Sequence, residues 1–181
     1  MDAKLFLFLN GLHFDWLDPI MIFISGKLTW TPFYLVLLFL IIKNYRKQSI
    51  LIFIARILLV VCSDQISSSV FKPLFERPRP CHNEAIKDLV YLPNGRCGGA
   101  YGFISSHACN AFALAVFITQ ILKKHYSKIA WVMFTWASLV AYSRIYMGVH
   151  YPGDVIVGAL VGAIIGILIF KLLNLCIKTN G

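Results

Sequence analysis

Residues 155–173 read VIVGALVGAIIGILIFKLL, with Lys171 as the single charged side chain. Crossing the hydrocarbon core of a bilayer takes about 20 helical residues, and this run is long enough with its flanks. Gly158, Gly162 and Gly166 recur at four-residue steps and so share one helix face. Small residues at that spacing let helices approach closely in lipid, where hydrophobic drive between helices is absent. The stretch predicts a membrane-spanning helix with one face built for contact.

Four further apolar runs lie upstream, at residues 129–141, 108–122, 50–71 and 31–42, the last extended backwards through Trp30. Some are short and must borrow flanking residues to cross. The first 27 residues are harder to place. Leu5 to Leu9 and Trp16 to Ile24 are apolar, but Pro19 and acidic side chains interrupt them. They form either a broken sixth helix or a helix lying in the interface. The chain as a whole agrees with a bilayer as its solvent. It is 59% hydrophobic and 14% charged over 181 residues, with a mean hydropathy of +0.73. A soluble domain of that size has too little interior for so much apolar surface. The predicted fold is all-α: a polytopic transmembrane helix bundle, residues 1–181 forming a single domain. Six helices are expected, five clear spans plus a short or broken N-terminal one. The N-terminus does not read as a signal peptide, because Asn10, His13, Asp15 and Asp18 break its apolar run.

The formal charge of +9 does not indicate nucleic acid, because the basic residues sit in short clusters between apolar runs. Lys43, Arg46 and Lys47 follow the first clear span, Lys123, Lys124 and Lys128 separate two later ones, and Lys171 and Lys178 close the chain. Alternation puts these clusters on one side, which the excess of Lys and Arg marks as cytoplasmic. An even number of spans places the N-terminus there too. The opposite side receives residues 72–105 and the short turn 143–152. The longer segment carries Lys72, Arg77, Arg79, Lys87 and Arg96 against the charge rule, so it calls for a function.

Three pieces on that side carry chemistry. The first is KPLFERPRP, residues 72–80, whose prolines stiffen the chain and hold Lys72 and Arg79 in place. Cations held at the end of a span suit a phosphate, although a juxtamembrane patch touching lipid headgroups has the same composition. The second is Ser105-Ser106-His107 at the start of a span. A serine N-cap and the free N–H groups of a helix start make an anion site, and a histidine there can donate a proton. The third is Ser143-Arg144, His150 and Asp154, with Pro152 opening the last helix. A carboxylate four residues beyond a histidine shares its face and can orient the imidazole, as nucleophilic catalysis requires. Each piece alone also reads as a capped helix, a surface pair or a basic rim. Together on one side of a membrane they read as a site.

The combination resembles the membrane branch of the type 2 phosphatidic acid phosphatase superfamily, related to vanadium haloperoxidases. Lys72 with Arg79-Pro80 fits the first motif of that family, and Ser143-Arg144, His150 and Asp154 fit the third. The second motif is usually Pro-Ser-Gly-His, and here reads Ile104-Ser105-Ser106-His107. The resemblance implies a lipid phosphatase in which Lys72, Arg79, Arg144, Ser105 and Ser106 hold phosphate. It implies that His150 attacks phosphorus to form a phosphohistidine, that His107 protonates the leaving oxygen, and that Asp154 orients His150. It also implies a reaction that needs no cofactor and no metal, because fixed cations neutralise charge. Expected substrates are undecaprenyl pyrophosphate, lipid A or phosphatidylglycerophosphate, so the partners are phospholipid, polyprenyl phosphate or lipid A and the bilayer. A bacterial inner membrane with the site facing the periplasm is the expected location. The rival reading is a transport or scaffold protein that binds anionic lipid without turnover.

The remaining polar residues give two further expectations. Asp64, Ser68 and Lys72 recur at four-residue steps, so Asp64 either braces Lys72 from behind or makes a plain interhelical hydrogen bond. Cys81 and Cys97 share the non-cytoplasmic loop and form a disulfide if that side is oxidising. A zinc site with His82 is the alternative, but it lacks a clear fourth ligand.

Overall fold

A computed structural model describes residues 1–179, with side chains through residue 177, so the Lys178 side chain of the basic tail lies outside it. The helices are α1 (Asp2–Gly11), α2 (Asp18–Ser25), α3 (Thr31–Tyr45), α4 (Ser49–Gln65), α5 (Lys72–Phe75), α6 (Ser106–Leu122), α7 (Ile129–Tyr146) and α8 (Pro152–Thr179). No strand occurs among the described residues. The helical stretches Thr31–Phe75 and Pro152–Ile177 are long and apolar enough to cross a membrane, and Ser106–Leu122 is a shorter apolar helix. Arg46, at φ 42° and ψ −112°, turns the chain between α3 and α4, so the first of these stretches is two helices.

The α6–α8 contact organises the bundle. A Cβ at Gly158 would lie 2.7 Å from the Ser105 carbonyl, and one at Gly166 would lie 2.7 Å from that of Ala113. At Gly162 it would collide with the Cys109 carbonyl. The predicted glycine face therefore lies directly on α6, backbone against backbone. The other side of α8 presents Ile156, Leu160, Ile164 and Leu168, each more than half exposed and again four residues apart. An apolar stripe of that length turned outward belongs in lipid rather than water.

The N-terminal segment follows the second of its two expected paths in part. At 10 and 8 residues, α1 and α2 extend only about 15 and 12 Å, too short to cross alone. Gly153 N donates to Asp2 Oδ1 (3.0 Å) and Asn10 Nδ2 donates to the Tyr146 carbonyl (2.9 Å). Those partners flank His150 in the chain, so α1 lies across the end of the bundle that carries it. From there the chain descends along α7. The Tyr146 hydroxyl donates to Asp18 Oδ1 (2.6 Å), Arg144 donates to Ser25, and Trp30 packs edge-on against Trp136 (5.8 Å between centroids). At the far end, the Tyr45 hydroxyl donates to the Ile121 carbonyl (2.6 Å). The segment α2–α3 thus runs along α7 from the His150 end of the bundle to the far end as one broken path. Asp2 sits at the His150 end, which corrects the expectation that an even count would place it with the basic clusters. The physical reason is Asp18: its carboxylate has partners from α7 and from Tyr91, which anchor the start of α2 where hydropathy alone saw only an interruption.

Replacing Gly162 by Val should force α6 and α8 apart, at a cost of about 1–3 kcal/mol for overpacking. The melting temperature in detergent should fall by several degrees and phosphatase activity should fall with it. Gly11→Ala, where a Cβ meets nothing within 4 Å, should leave both unchanged.

Candidate active site

His150 occupies the turn between α7 and α8 and is 2% exposed. Gly148 makes that turn possible: its φ is +73°, and a Cβ there would lie 2.6 Å from the Tyr91 carbonyl. Pro152 then starts α8 and brings Asp154, fully buried, into its first turn. Asp154 Oδ2 accepts from Tyr151 N (3.0 Å) and faces His150 Nδ1 at 3.6 Å. That distance is beyond a hydrogen bond but close enough for charge to matter. On the other side of the ring, Arg79 Nη1 lies 3.0 Å from His150 Nε2. A guanidinium only donates, so Nε2 carries the lone pair and the ring proton belongs on Nδ1, towards Asp154. In this tautomer the Nε2 lone pair meets Arg79 and the Nδ1 proton faces Asp154.

Arg79 is itself moored by backbone. Its Nε donates to the Gly99 carbonyl (2.7 Å), its Nη1 to that of Val149 (3.0 Å), and its own N–H to that of Ala100 (3.0 Å). The segment carrying Gly99 is tied down by a Cys81–Cys97 disulfide (Cα–Cα 6.0 Å), which removes both sulfurs from the zinc alternative. His82 instead faces the Gly98 carbonyl at 3.2 Å.

Beside His150 opens a cavity of about 710 Å³. Lys72, Arg79, Arg144, Ser106, His107 and Asp64 border it, as do Ser68 and Asn110. Motif residues up to 78 positions apart in sequence therefore meet around one cavity. Asp64, Ser68 and Lys72 all reach it because the chain passes through a π-helical segment, Ile66–Phe71. Four residues overshoot an α-turn and undershoot the wider π-turn, so the two in succession keep all three on one face. Asp64 makes no ion pair with Lys72 among the described residues. It accepts a long bond from Asn110 Nδ2 (3.4 Å) instead, so its influence on Lys72 acts through space.

Ser105 is placed differently from the expectation. It is fully buried and does not border the cavity: its hydroxyl accepts from Ala108 N (3.4 Å) and its N–H donates to the Asp154 carbonyl (3.0 Å). It caps α6 and ties that helix to α8, because a serine at the N-cap satisfies the helix before it can serve a ligand. The cavity is left with Ser106, His107 and the spare N–H groups of the first turn. Three buried polar atoms at the site have no hydrogen-bond partner: Ser106 Oγ, Arg144 Nε and His150 Nδ1. Buried donors without partners are costly and rare, and two of these sit among cations on the cavity wall. An anion with several oxygens satisfies them.

Sequence reasoning missed Lys27, which borders the cavity from the turn between α2 and α3, and Asn110, one turn below His107. It also left Arg77 in the basic loop without a task, whereas Arg77 Nη1 donates to Asp154 Oδ1 at 2.6 Å. No local pattern pointed to this contact, because Arg77 and Asp154 are 77 positions apart.

Residues 53–178 match the profile of the PAP2 superfamily. The chain belongs to that superfamily. It is 40% identical to a lipid A 4'-phosphatase of Bacteroides thetaiotaomicron over 94% of this chain and 76% of that protein. It is 31% identical to an undecaprenyl-diphosphatase of Sulfolobus acidocaldarius, over 92% of this chain and 76% of the other. The crystal structure of a transmembrane PAP2 type phosphatidylglycerolphosphate phosphatase from Bacillus subtilis superposes with a TM-score of 0.71, at 22% identity, covering 98% of this chain and 85% of that one, and shows the same fold. The protein is a membrane lipid phosphatase of this superfamily.

Burial above all, then the charges of Arg79, Arg144 and Lys72, push the His150 pKa well below its ordinary value, against a smaller opposing effect of the Gly102 backbone. A lowered pKa keeps the imidazole neutral, and so nucleophilic, into acid. An unshifted histidine would be about 90% protonated at pH 5.5. Phosphate release should therefore show no inflection at the ordinary histidine value of about 6.5. A rate that halves near pH 6.5 would contradict this. Reduction of the Cys81–Cys97 bond, or Cys81→Ser with Cys97→Ser, should loosen the Gly99 carbonyl that orients Arg79. A several-fold rise in KM is expected, read by titrating lipid substrate with and without reductant.

Proposed function

We propose that the enzyme cleaves a phosphate ester on a lipid headgroup through a phosphohistidine on His150, with lipid A as the best-supported substrate. The observation that carries the chemistry is the pair of unpartnered donors, Ser106 Oγ and Arg144 Nε, on a cavity wall that also holds Lys72, Arg79 and His107. These groups fit the oxygens of one phosphate, as the fixed cations and helix-start amides would stabilise charge developing at phosphorus.

His150 Nε2 attacks phosphorus while the bond to the leaving oxygen breaks. His107 gives its proton to that oxygen, which departs as an alcohol. Asp154 faces the imidazolium proton on Nδ1 and stabilises the charge the ring acquires. Water then attacks the phosphohistidine, His107 takes back a proton, and inorganic phosphate leaves with His150 restored. Lys72, Arg79 and Arg144 neutralise charge throughout, so turnover should not need an added divalent cation.

Lipid A is favoured because the identity to a lipid A 4'-phosphatase, 40%, exceeds the 31% to an undecaprenyl-diphosphatase at similar coverage. The cavity of about 710 Å³ suits a phosphorylated headgroup rather than a whole lipid, leaving the acyl chains in the bilayer. The site faces the periplasm across a bacterial inner membrane in this reading. Its support is that Tyr45 and Asn44, beside the first basic cluster, bond Ile121 and Tyr126, beside the second, at the end away from His150. The excess of Lys and Arg there marks the cytoplasmic side.

The test is phosphate release by the purified protein in detergent, with EDTA, from lipid A, undecaprenyl pyrophosphate and phosphatidylglycerophosphate. Release should be fastest from lipid A, unaffected by EDTA, and abolished by His150→Ala. An alkali-stable, acid-labile phosphoenzyme should be trapped on rapid quench. Lipid binding without release from any of the three would favour the non-catalytic reading instead.

A further inference from the structure

We propose that Asp2 and Arg77 are positioning residues that hold Asp154, and through it the His150 ring, ready for attack. The inference rests on the reading of His150 as nucleophile. Arg77 spreads its fork between two carboxylates: Nη1 donates to Asp154 Oδ1 (2.6 Å) and Nη2 donates to Asp2 Oδ2 (2.7 Å). The remaining oxygen of Asp2 accepts from Gly153 N (3.0 Å), in the first turn of α8. The Arg77 guanidinium also lies over the Tyr151 ring, 4.0 Å from its centroid, and Tyr151 N holds Asp154 Oδ2. Both oxygens of Asp154 are thus fixed, and the fixed orientation is the one that presents Oδ2 to His150 Nδ1.

Neither Asp2 nor Arg77 borders the cavity, so neither touches phosphate. Their effect is on charge and angle. Asp154 is fully buried, and a buried carboxylate without a cation is strongly disfavoured. Arg77 supplies the cation. On its own it would also cancel the negative charge that the imidazolium must feel. Asp2 restores it, so the trio Asp2, Arg77 and Asp154 carries one net negative charge beside the ring. Gly153 belongs to the same arrangement, because a Cβ there would lie 2.7 Å from Asp2 Oδ2 and push the carboxylate off.

The experiment measures kcat, KM and inhibition by vanadate, a phosphate mimic, for Asp2→Asn, Arg77→Gln, Arg77→Lys and the double variant Asp2→Asn/Arg77→Gln. His150→Ala is the control, and rates are normalised to the amplitude of vanadate binding. Misplacing a reacting group by about 1 Å can cost 10²-fold, so kcat should fall about 10- to 100-fold in Asp2→Asn and Arg77→Gln. KM and vanadate affinity should stay near wild type, because Lys72, Arg79 and Arg144 are untouched. Arg77→Lys should recover part of the rate, and the double variant should be no slower than Arg77→Gln. Should Arg77→Gln not fold in detergent, Asp2→Asn and Gly153→Ala carry the same expectation. Wild-type kcat in the folded variants, or a raised KM at unchanged kcat, would overturn the proposal. Full turnover in His150→Ala would instead remove the nucleophile reading on which it rests.

Discussion

The backbone contact between α6 and α8 is the constraint from which the site follows. Gly158, Gly162 and Gly166 let the two helices meet with no side chain between them. At the top of that seam the Ser105 N–H donates to the Asp154 carbonyl. The start of α6, with Ser106 and His107, is thereby fixed against the start of α8, with His150 just before it. Two helix starts side by side bring two positive dipole ends to one place, and the first turn of α6 adds its spare N–H groups. A candidate anion site made this way needs few mobile parts. Its precision is set by helix packing, which in lipid depends on close backbone approach.

The second constraint is electrostatic, because this seam opens on a cavity bordered by Lys27, Arg56, Lys72, Arg79 and Arg144, with Asp64 as the one carboxylate on its wall among the described residues. So many cations at membrane depth repel one another unless each has a local partner. The structure answers with backbone for Arg79, with the Ser25 hydroxyl for Arg144, and with the face of Tyr34 for Arg56 (5.3 Å from the centroid). None of these partners cancels charge. The cluster remains positive overall and so retains its affinity for an anion, whereas pairing each cation with a carboxylate would have spent it. His150 shows the consequence, since the surrounding charge and burial keep its ring neutral and its lone pair available.

The proximity of several candidate site residues was legible in the sequence because their geometry is local. His150 and Asp154 are four residues apart at a helix start marked by Pro152, so their proximity follows from chain geometry alone. The glycine face was legible for the same reason. Ser105 is the N-cap that the sequence indicated, but that role takes its hydroxyl and leaves it off the cavity wall. Arg77 and Asp2 were invisible because their partners are 77 and 151 positions away. No periodicity reports a contact of that range. The path of α2 was hidden for a related reason. Asp18 looked like an interruption of an apolar run, but its bonds to Tyr91 and Tyr146 make it an anchor.

That anchor also explains how a polar cavity can exist inside an apolar bundle. The break at residues 26–30 moves the chain aside, and Gly26 and Lys27 line the space it leaves. Gly26 is hemmed in by the Thr29 side chain, and the Trp30 indole donates to the Ile24 carbonyl (2.9 Å), so the break is a folded turn with its own bonds. Backbone freed from helix at membrane depth is tolerated where it lines a cavity, since the wet wall can satisfy it. The interruption in the N-terminal hydropathy and the cavity beside His150 are thus two aspects of one feature: the α2–α3 path is broken where the site needs room.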